Sequence, residues 1–224
     1  MELLNRTVER FADRKAGGRA LAKKLTRYSK RRDIVVLALP RGGVPVAYEV
    51  AMALNAELDV LVVRKLGVPG HPEFAMGALV SGGAIYRNED VIRATGVTPQ
   101  QFRAVVSLEQ KELARREVLY RGNRAPVTVE GRVVILVDDG IATGASMYAA
   151  VSALRSSGPA RIVVAVPVAP PDAAESLGAA VDEFVAAITP SPFYAVGQFY
   201  DHFEQTGDDE VRDLLAGARS RRLT

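Results

Sequence analysis

The residues best suited to chemistry are two adjacent carboxylates, Asp138 and Asp139, which follow the apolar run Val133–Val137 and precede Gly140-Ile141-Ala142-Thr143-Gly144-Ala145-Ser146. Neighbouring aspartates repel each other and are costly at a low-dielectric edge unless a divalent cation, a sugar diol, or both take up their charge and hydrogen-bonding capacity. The loop behind them is rich in glycine, alanine and hydroxyls, so its backbone N–H groups can converge on an anion at the start of a helix. It lacks the Gly-Lys-Ser/Thr ending of a Walker A loop and the Gly-x-Gly-x-x-Gly dinucleotide fingerprint. The ligand implied carries a phosphate and a nearby diol.

A second segment points the same way. The run Ile34 to Leu39 leads into Pro40-Arg41-Gly42-Gly43-Val44-Pro45, where the glycines permit close backbone approach and Arg41 offers a forked cation for phosphate oxygens. Arg64 and Lys65 close the next apolar run, either aimed into the same crevice or ending a strand in solvent. His71 and Glu73 lie in a glycine- and proline-rich stretch and read as surface residues.

These groups need a scaffold. Apolar, β-branched runs at Asp33 to Leu39, Asp59 to Val63, Val133 to Val137, Arg161 to Val166 and Phe184 to Ile188 predict buried parallel strands. Helical patterns alternate with them: Val46, Val50 and Leu54 share a face, as do Met147, Val151 and Leu154. The expected class is α/β, an open, mainly parallel sheet flanked by helices, with a small hood and an inserted flexible loop and hairpin. One domain spans residues 1–224, with a core at about 30–188, an insertion at about 66–122 and a hood or tail at about 189–224. Within the insertion, Gly67, Pro69, Gly70 and Pro72 predict a loop, Ser81-Gly82-Gly83 a hairpin turn, and Thr98-Pro99 the start of a long helix that Arg121-Gly122 ends. Val211, Leu214 and Leu215 mark a short amphipathic helix near the end.

The sequence has no cysteine, which excludes disulfides, thiolate catalysis and Cys-ligated metals and suits a cytoplasmic protein. The opening Met-Glu-Leu-Leu-Asn-Arg turns charged too soon for a signal peptide, and no run is long enough to span a membrane. Net charge is +3, yet Arg14, Lys15, Arg19, Lys23, Lys24, Arg27, Lys30, Arg31 and Arg32 cluster. Such a cluster could touch nucleic acid, but with Leu21, Leu25 and Tyr28 on one helical face, it reads first as the solvated side of a helix.

The apolar strand, diacid, spacer and Thr143-Gly144-Ala145-Ser146 resemble the signature of the type I phosphoribosyltransferases. The resemblance implies that Asp138 and Asp139 hold the ribose hydroxyls of phosphoribosyl pyrophosphate (PRPP) and help bind Mg²⁺. It also implies that Ala142 to Ser146 bind the 5′-phosphate, that Gly140 belongs to the substrate site, and that Arg41, Gly42 and Gly43 lie at pyrophosphate. Leu66 to Tyr86 resembles the family's mobile loop in location. The expected activity is transfer of phosphoribose to a nitrogenous acceptor such as a nucleobase, in a homo-oligomer and in nucleotide metabolism. Hypoxanthine-guanine enzymes carry an acid where this chain has Ala142, whereas adenine enzymes also have alanine. Recognition of the acceptor is expected in the tail, where Phe193, Tyr194, Phe199, Tyr200 and Phe203 either stack on a base or pack on the sheet, and Asp201 could accept hydrogen bonds from it. The alternative is a regulator that senses PRPP without catalysis and binds nucleic acid or protein.

Overall fold

Runs of valine, isoleucine and leucine become parallel strands in the computed structural model, which describes residues 9–29 and 31–221. The first eight residues and Lys30 of the basic cluster therefore lie outside the described residues. Five strands, β1 (Ile34–Ala38), β2 (Glu57–Val60), β6 (Val133–Val137), β7 (Arg161–Val168) and β8 (Glu183–Ile188), form one sheet in the order β2-β1-β6-β7-β8. All neighbours in it are parallel. Every residue of β1 and β6 is buried, which explains why these runs are continuously apolar rather than alternating. Each such valine, leucine or isoleucine contributes about 1.5–3 kcal/mol on burial.

Helices cover both faces. On one lie α1 (Arg14–Lys24), α2 (Gly43–Leu54) and α7 (Asp208–Ser220), whose Leu21, Val50, Leu54, Val211 and Leu215 join one core cluster. On the other, α5 (Ala145–Arg155) and α6 (Ala173–Leu177) bury Met147, Val151, Leu154 and Leu177. Because sequence order along the sheet reverses between β1 and β6, connections leave these strands toward opposite faces. A crevice opens at their carboxyl ends, the usual ligand position in such sheets.

The insertion is more regular than its glycines and prolines suggest. β3 (Val63–Val68), β4 (His71–Val80) and β5 (Ile85–Arg87) form a three-stranded antiparallel sheet, followed by α3 (Glu89–Thr95) and α4 (Pro99–Arg121). Two expectations are corrected here. The run Asp59 to Val63 is not one strand: β2 stops at Val60, and the chain crosses to the second sheet through Leu61 and Val62. Both crossing residues are buried, so hydrophobicity continues through the break. Residues 67–72 are not a loop but paired strand around a tight turn at Pro69-Gly70, and Arg64 and Lys65 begin β3 rather than end β2. α4 starts as its sequence indicates, with Pro99 in the first turn and a reciprocal Thr98–Gln101 capping box, and it ends at Gly122. No described helix is long and apolar enough to cross a membrane.

Candidate active site

The loops after β1 and β6 meet at the crevice, and their glycines allow it. A Cβ on Gly42 would stand 2.1 Å from Asp139 Oδ2, and one on Gly43 would stand 2.8 Å from the Val137 carbonyl and 2.9 Å from Asp138 Cα. These are backbone or wedged neighbours with little room to move, so only glycine lets the two loops touch. The Leu39 N–H donates to the Val137 carbonyl at 2.9 Å, which extends strand pairing to the edge of the diacid. The Pro40–Arg41 peptide is cis.

Burial pushes the Asp138 carboxyl well above its ordinary range, and the neighbouring Asp139 charge adds to the effect. Asp139 is also raised by burial, with Arg14 opposing the shift. The Asp139 N–H donates to Asp138 Oδ1 at 2.8 Å, so the pair has a fixed mutual orientation. Arg14 Nε donates to Asp139 Oδ2 at 2.9 Å, within a salt bridge whose side chains are only 12% and 16% exposed. Here the structure corrects the reading of Arg14 as part of a solvated helix face. Asp13 caps α1 by accepting from the Ala16 N–H at 2.7 Å, so Arg14 opens the first turn. From there its side chain reaches the crevice.

Beyond the diacid, Ile141 is buried while Ala142, Thr143, Ala145 and Ser146 are exposed. Gly144 takes a left-handed conformation, φ 72°, as the N-cap of α5, and no side chain caps that helix. The first-turn N–H groups therefore remain available to an anion. At Gly140 a Cβ would meet Val196 at 2.5 Å. Its local requirement comes from packing of the tail against the loop.

A cavity of about 390 Å³ brings Arg64, Lys65, Asp138 and Ser146 together with Pro40 and Arg116. Arg64 is held by Glu109, its Nε donating to Oε2 at 2.6 Å, and Arg116 Nε donates to Glu112 Oε1 at 2.8 Å. α4 thus contributes a cation and two counter-ions that sequence inspection missed. Arg41 does not line this cavity. Its guanidinium lies 3.7 Å from Asp208 at the start of α7, and Asp208 also accepts from the Tyr120 hydroxyl at 2.9 Å. Burial and Asp208 push that phenol up to about 12.

The tail supplies packing before recognition. Phe199 and Tyr200 are buried, Phe193 stacks on Phe199, and Phe203 stacks on Tyr200 at 5.0 Å. Tyr200 is therefore not an open platform for a base: its hydroxyl donates to the Asp139 carbonyl at 2.6 Å. Asp201 turns away to Arg10, 3.2 Å distant, and Tyr194 is the one tail aromatic that is largely exposed. His71, Glu73 and Phe74 sit exposed on the β3–β4 hairpin.

Among the described residues no three His, Cys, Asp or Glu side chains gather into a metal site. A Mg²⁺ ion held by protein alone does not fit this diacid. One shared between Asp138 or Asp139 and the phosphate oxygens of a ligand does, since Mg²⁺ is commonly bound by one or two carboxylates plus substrate phosphates.

The sequence profile of the phosphoribosyl transferase domain matches residues 7–185. Proteins from two Mycobacterium tuberculosis strains, CDC 1551 and H37Rv, provisionally named phosphoribosyl transferases, are 48% identical over 92% of this chain. The chain spans only 46% of their length. A crystal structure of the protein TT1426 from Thermus thermophilus is 44% identical and superposes with a TM-score of 0.82, over 93% of this chain and 98% of that one.

Proposed function

The chain belongs to the phosphoribosyl transferase domain family, and from that premise we propose that it is a Mg²⁺-dependent transferase that moves phosphoribose from PRPP to a nitrogenous acceptor. In the reaction the bond between the anomeric carbon and the pyrophosphate oxygen breaks, a bond from the acceptor nitrogen forms, and pyrophosphate leaves. The observation that carries this reading is the contact of the Gly42-Gly43 loop with Asp138 and Asp139, beside a cavity walled by Arg64, Lys65 and Arg116. Carboxylates suited to a diol beside cations suited to a diphosphate support this reading.

Asp138 and Asp139 would accept hydrogen bonds from the ribose hydroxyls, and the exposed backbone at 142–146 would anchor the 5′-phosphate. Arg64, Lys65 and Arg41 would stabilise charge gathering on the leaving pyrophosphate, with Arg41 released from Asp208 to do so. Bound Mg²⁺ would supply further neutralisation of the leaving group. No carboxylate stands at Ala142, so the acceptor's proton would pass to the acceptor's own surroundings or to solvent. A nucleobase or similar flat heterocycle is the proposed acceptor, with exposed Tyr194 as the available aromatic face.

Calorimetric titration of PRPP, with and without Mg²⁺ and on Asp139→Asn, tests the site. Metal-dependent binding that the variant loses is the expected result; equal binding by the variant would overturn the assignment. Pyrophosphate release with a panel of nucleobases then tests the transfer. Binding without release across the panel would favour a PRPP-sensing regulator over an enzyme.

A further inference from the structure

Arg14 enters the candidate site from outside both phosphate-binding segments, and it is held at three points. Nε donates to Asp139 Oδ2 at 2.9 Å, Nη1 donates to the Glu204 carbonyl at 2.7 Å, and the guanidinium carbon lies 3.9 Å above the centroid of the Phe203 ring. Phe203 in turn stacks on Tyr200, centroids 5.0 Å apart and planes 19° from parallel, and the Tyr200 hydroxyl donates to the backbone carbonyl of Asp139 at 2.6 Å. The contacts close a ring that leaves Asp139 by its side chain and returns by its peptide.

Such a ring fixes both the carboxylate and the backbone that carries it. A planar guanidinium with two donors engaged and one face stacked has little rotational freedom left, so it holds its partner in one orientation. The contact of Gly42 with the same Oδ2 closes the other side. Arg14 and Gly42 both meet Oδ2, so the carboxylate is held through that oxygen. The aromatic pair thus has a use that does not require it to touch an acceptor.

We infer that Arg14, with Tyr200 and Phe203 behind it, is a positioning residue that aims Asp139 at the ribose diol, so that residues 199–204 act on the sugar end of the substrate. The inference rests on the PRPP reading above. Arg14 reaches Asp139 from α1, whereas Arg64 and Lys65 reach the shared cavity from β3 of the second sheet.

The experiment compares calorimetric binding of PRPP with Mg²⁺ and of pyrophosphate without metal, so that the control does not draw on Asp139, to the wild-type chain, Arg14→Gln, Arg14→Lys and Tyr200→Phe. Arg14→Gln should weaken PRPP about tenfold or more, the scale of a lost charge-assisted hydrogen bond, while pyrophosphate stays within about twofold. Arg14→Lys should recover part of the loss by restoring the charge. Tyr200→Phe removes one hydroxyl and should shift PRPP in the same direction by roughly threefold; it decides the matter if Arg14→Gln does not fold. Unchanged PRPP affinity in Arg14→Gln and Tyr200→Phe, or equal weakening of both ligands, overturns the positioning role and leaves the proposed function standing. A wild-type chain that binds neither ligand overturns the proposed function and the inference together.

Discussion

At the scale of single residues, the candidate site gathers charged groups in partly buried surroundings at some cost. Asp138 shows the cost most directly. Its carboxyl is raised by burial and by Asp139, so the folded chain prefers the protonated form. A group raised in the folded state contributes stability that is fully present below its unfolded value and is lost as pH rises through its folded value. Above the ordinary carboxylate range Asp138 therefore disfavours folding, since the folded chain holds its proton more tightly than the unfolded one. Asp138→Asn should melt at a higher temperature than the wild-type chain there, and the gap should close toward about pH 4, near the ordinary carboxylate value. The same variant should bind PRPP more weakly, which a melt and a titration on one preparation would show together. Gly42→Ala should act in the opposite sense on stability, because its Cβ would stand 2.1 Å from Asp139 Oδ2. It should lower the melting temperature and lose PRPP binding. At this scale the diacid and the glycine loop were readable from residue type and spacing. Arg14 was not, since nothing in a basic, amphipathic stretch marks which of its cations will turn inward.

Secondary-structure elements supply the counter-ions and the rigidity. α4 was legible from its ends, because Thr98, Pro99, Gln101 and Gly122 satisfy local geometry through residues close in sequence. Its tertiary task was hidden. Near its end, Arg121 is buried against Asp59 of β2, with Nε to Oδ2 at 2.8 Å, and Asp59 also accepts from the Val127 N–H at 3.1 Å. The pair ties the end of the insertion and the segment leading to β6 back onto the parallel sheet. Asp59→Ala would leave the buried Arg121 guanidinium with Glu117, 2.7 Å away, as its remaining counter-ion, so the loss should fall below the about 3–5 kcal/mol of a fully stranded charge and be read as a lower midpoint in urea unfolding. The same helix carries Arg116 to the cavity, and Glu109 and Glu112 to the cations Arg64 and Arg116 that line it, from sequence positions that contain no motif. The insertion's strands were partly misread for a related reason: Leu61 and Val62 are buried while switching sheets, and hydrophobicity cannot distinguish a strand from a buried crossing.

Across the whole molecule, the tail belongs to the core rather than to a detachable hood. Phe199 and Tyr200 pack with Phe11 and Val168, while Val211 and Leu215 of α7 join the cluster beneath α2 and β1. Truncation after Ile188 should therefore remove the cooperative thermal transition in circular dichroism as well as PRPP binding. A tail that served only acceptor recognition would leave the melt intact. The sequence by itself determined the class of fold, the parallel strands and the two loops that carry the proposed phosphate and diol chemistry, because buried strands, glycine turns and helix caps are specified by neighbours in the chain. Only the tertiary structure decided that β1 and β6 lie side by side with their loops in contact, that Arg14 faces Asp139, and that the aromatic tail braces the diacid. Those are meetings between residues as far as 190 positions apart, as in the bond from Arg14 to Glu204. Close packing selects them by shape and charge once the chain has folded, and no local pattern encodes them.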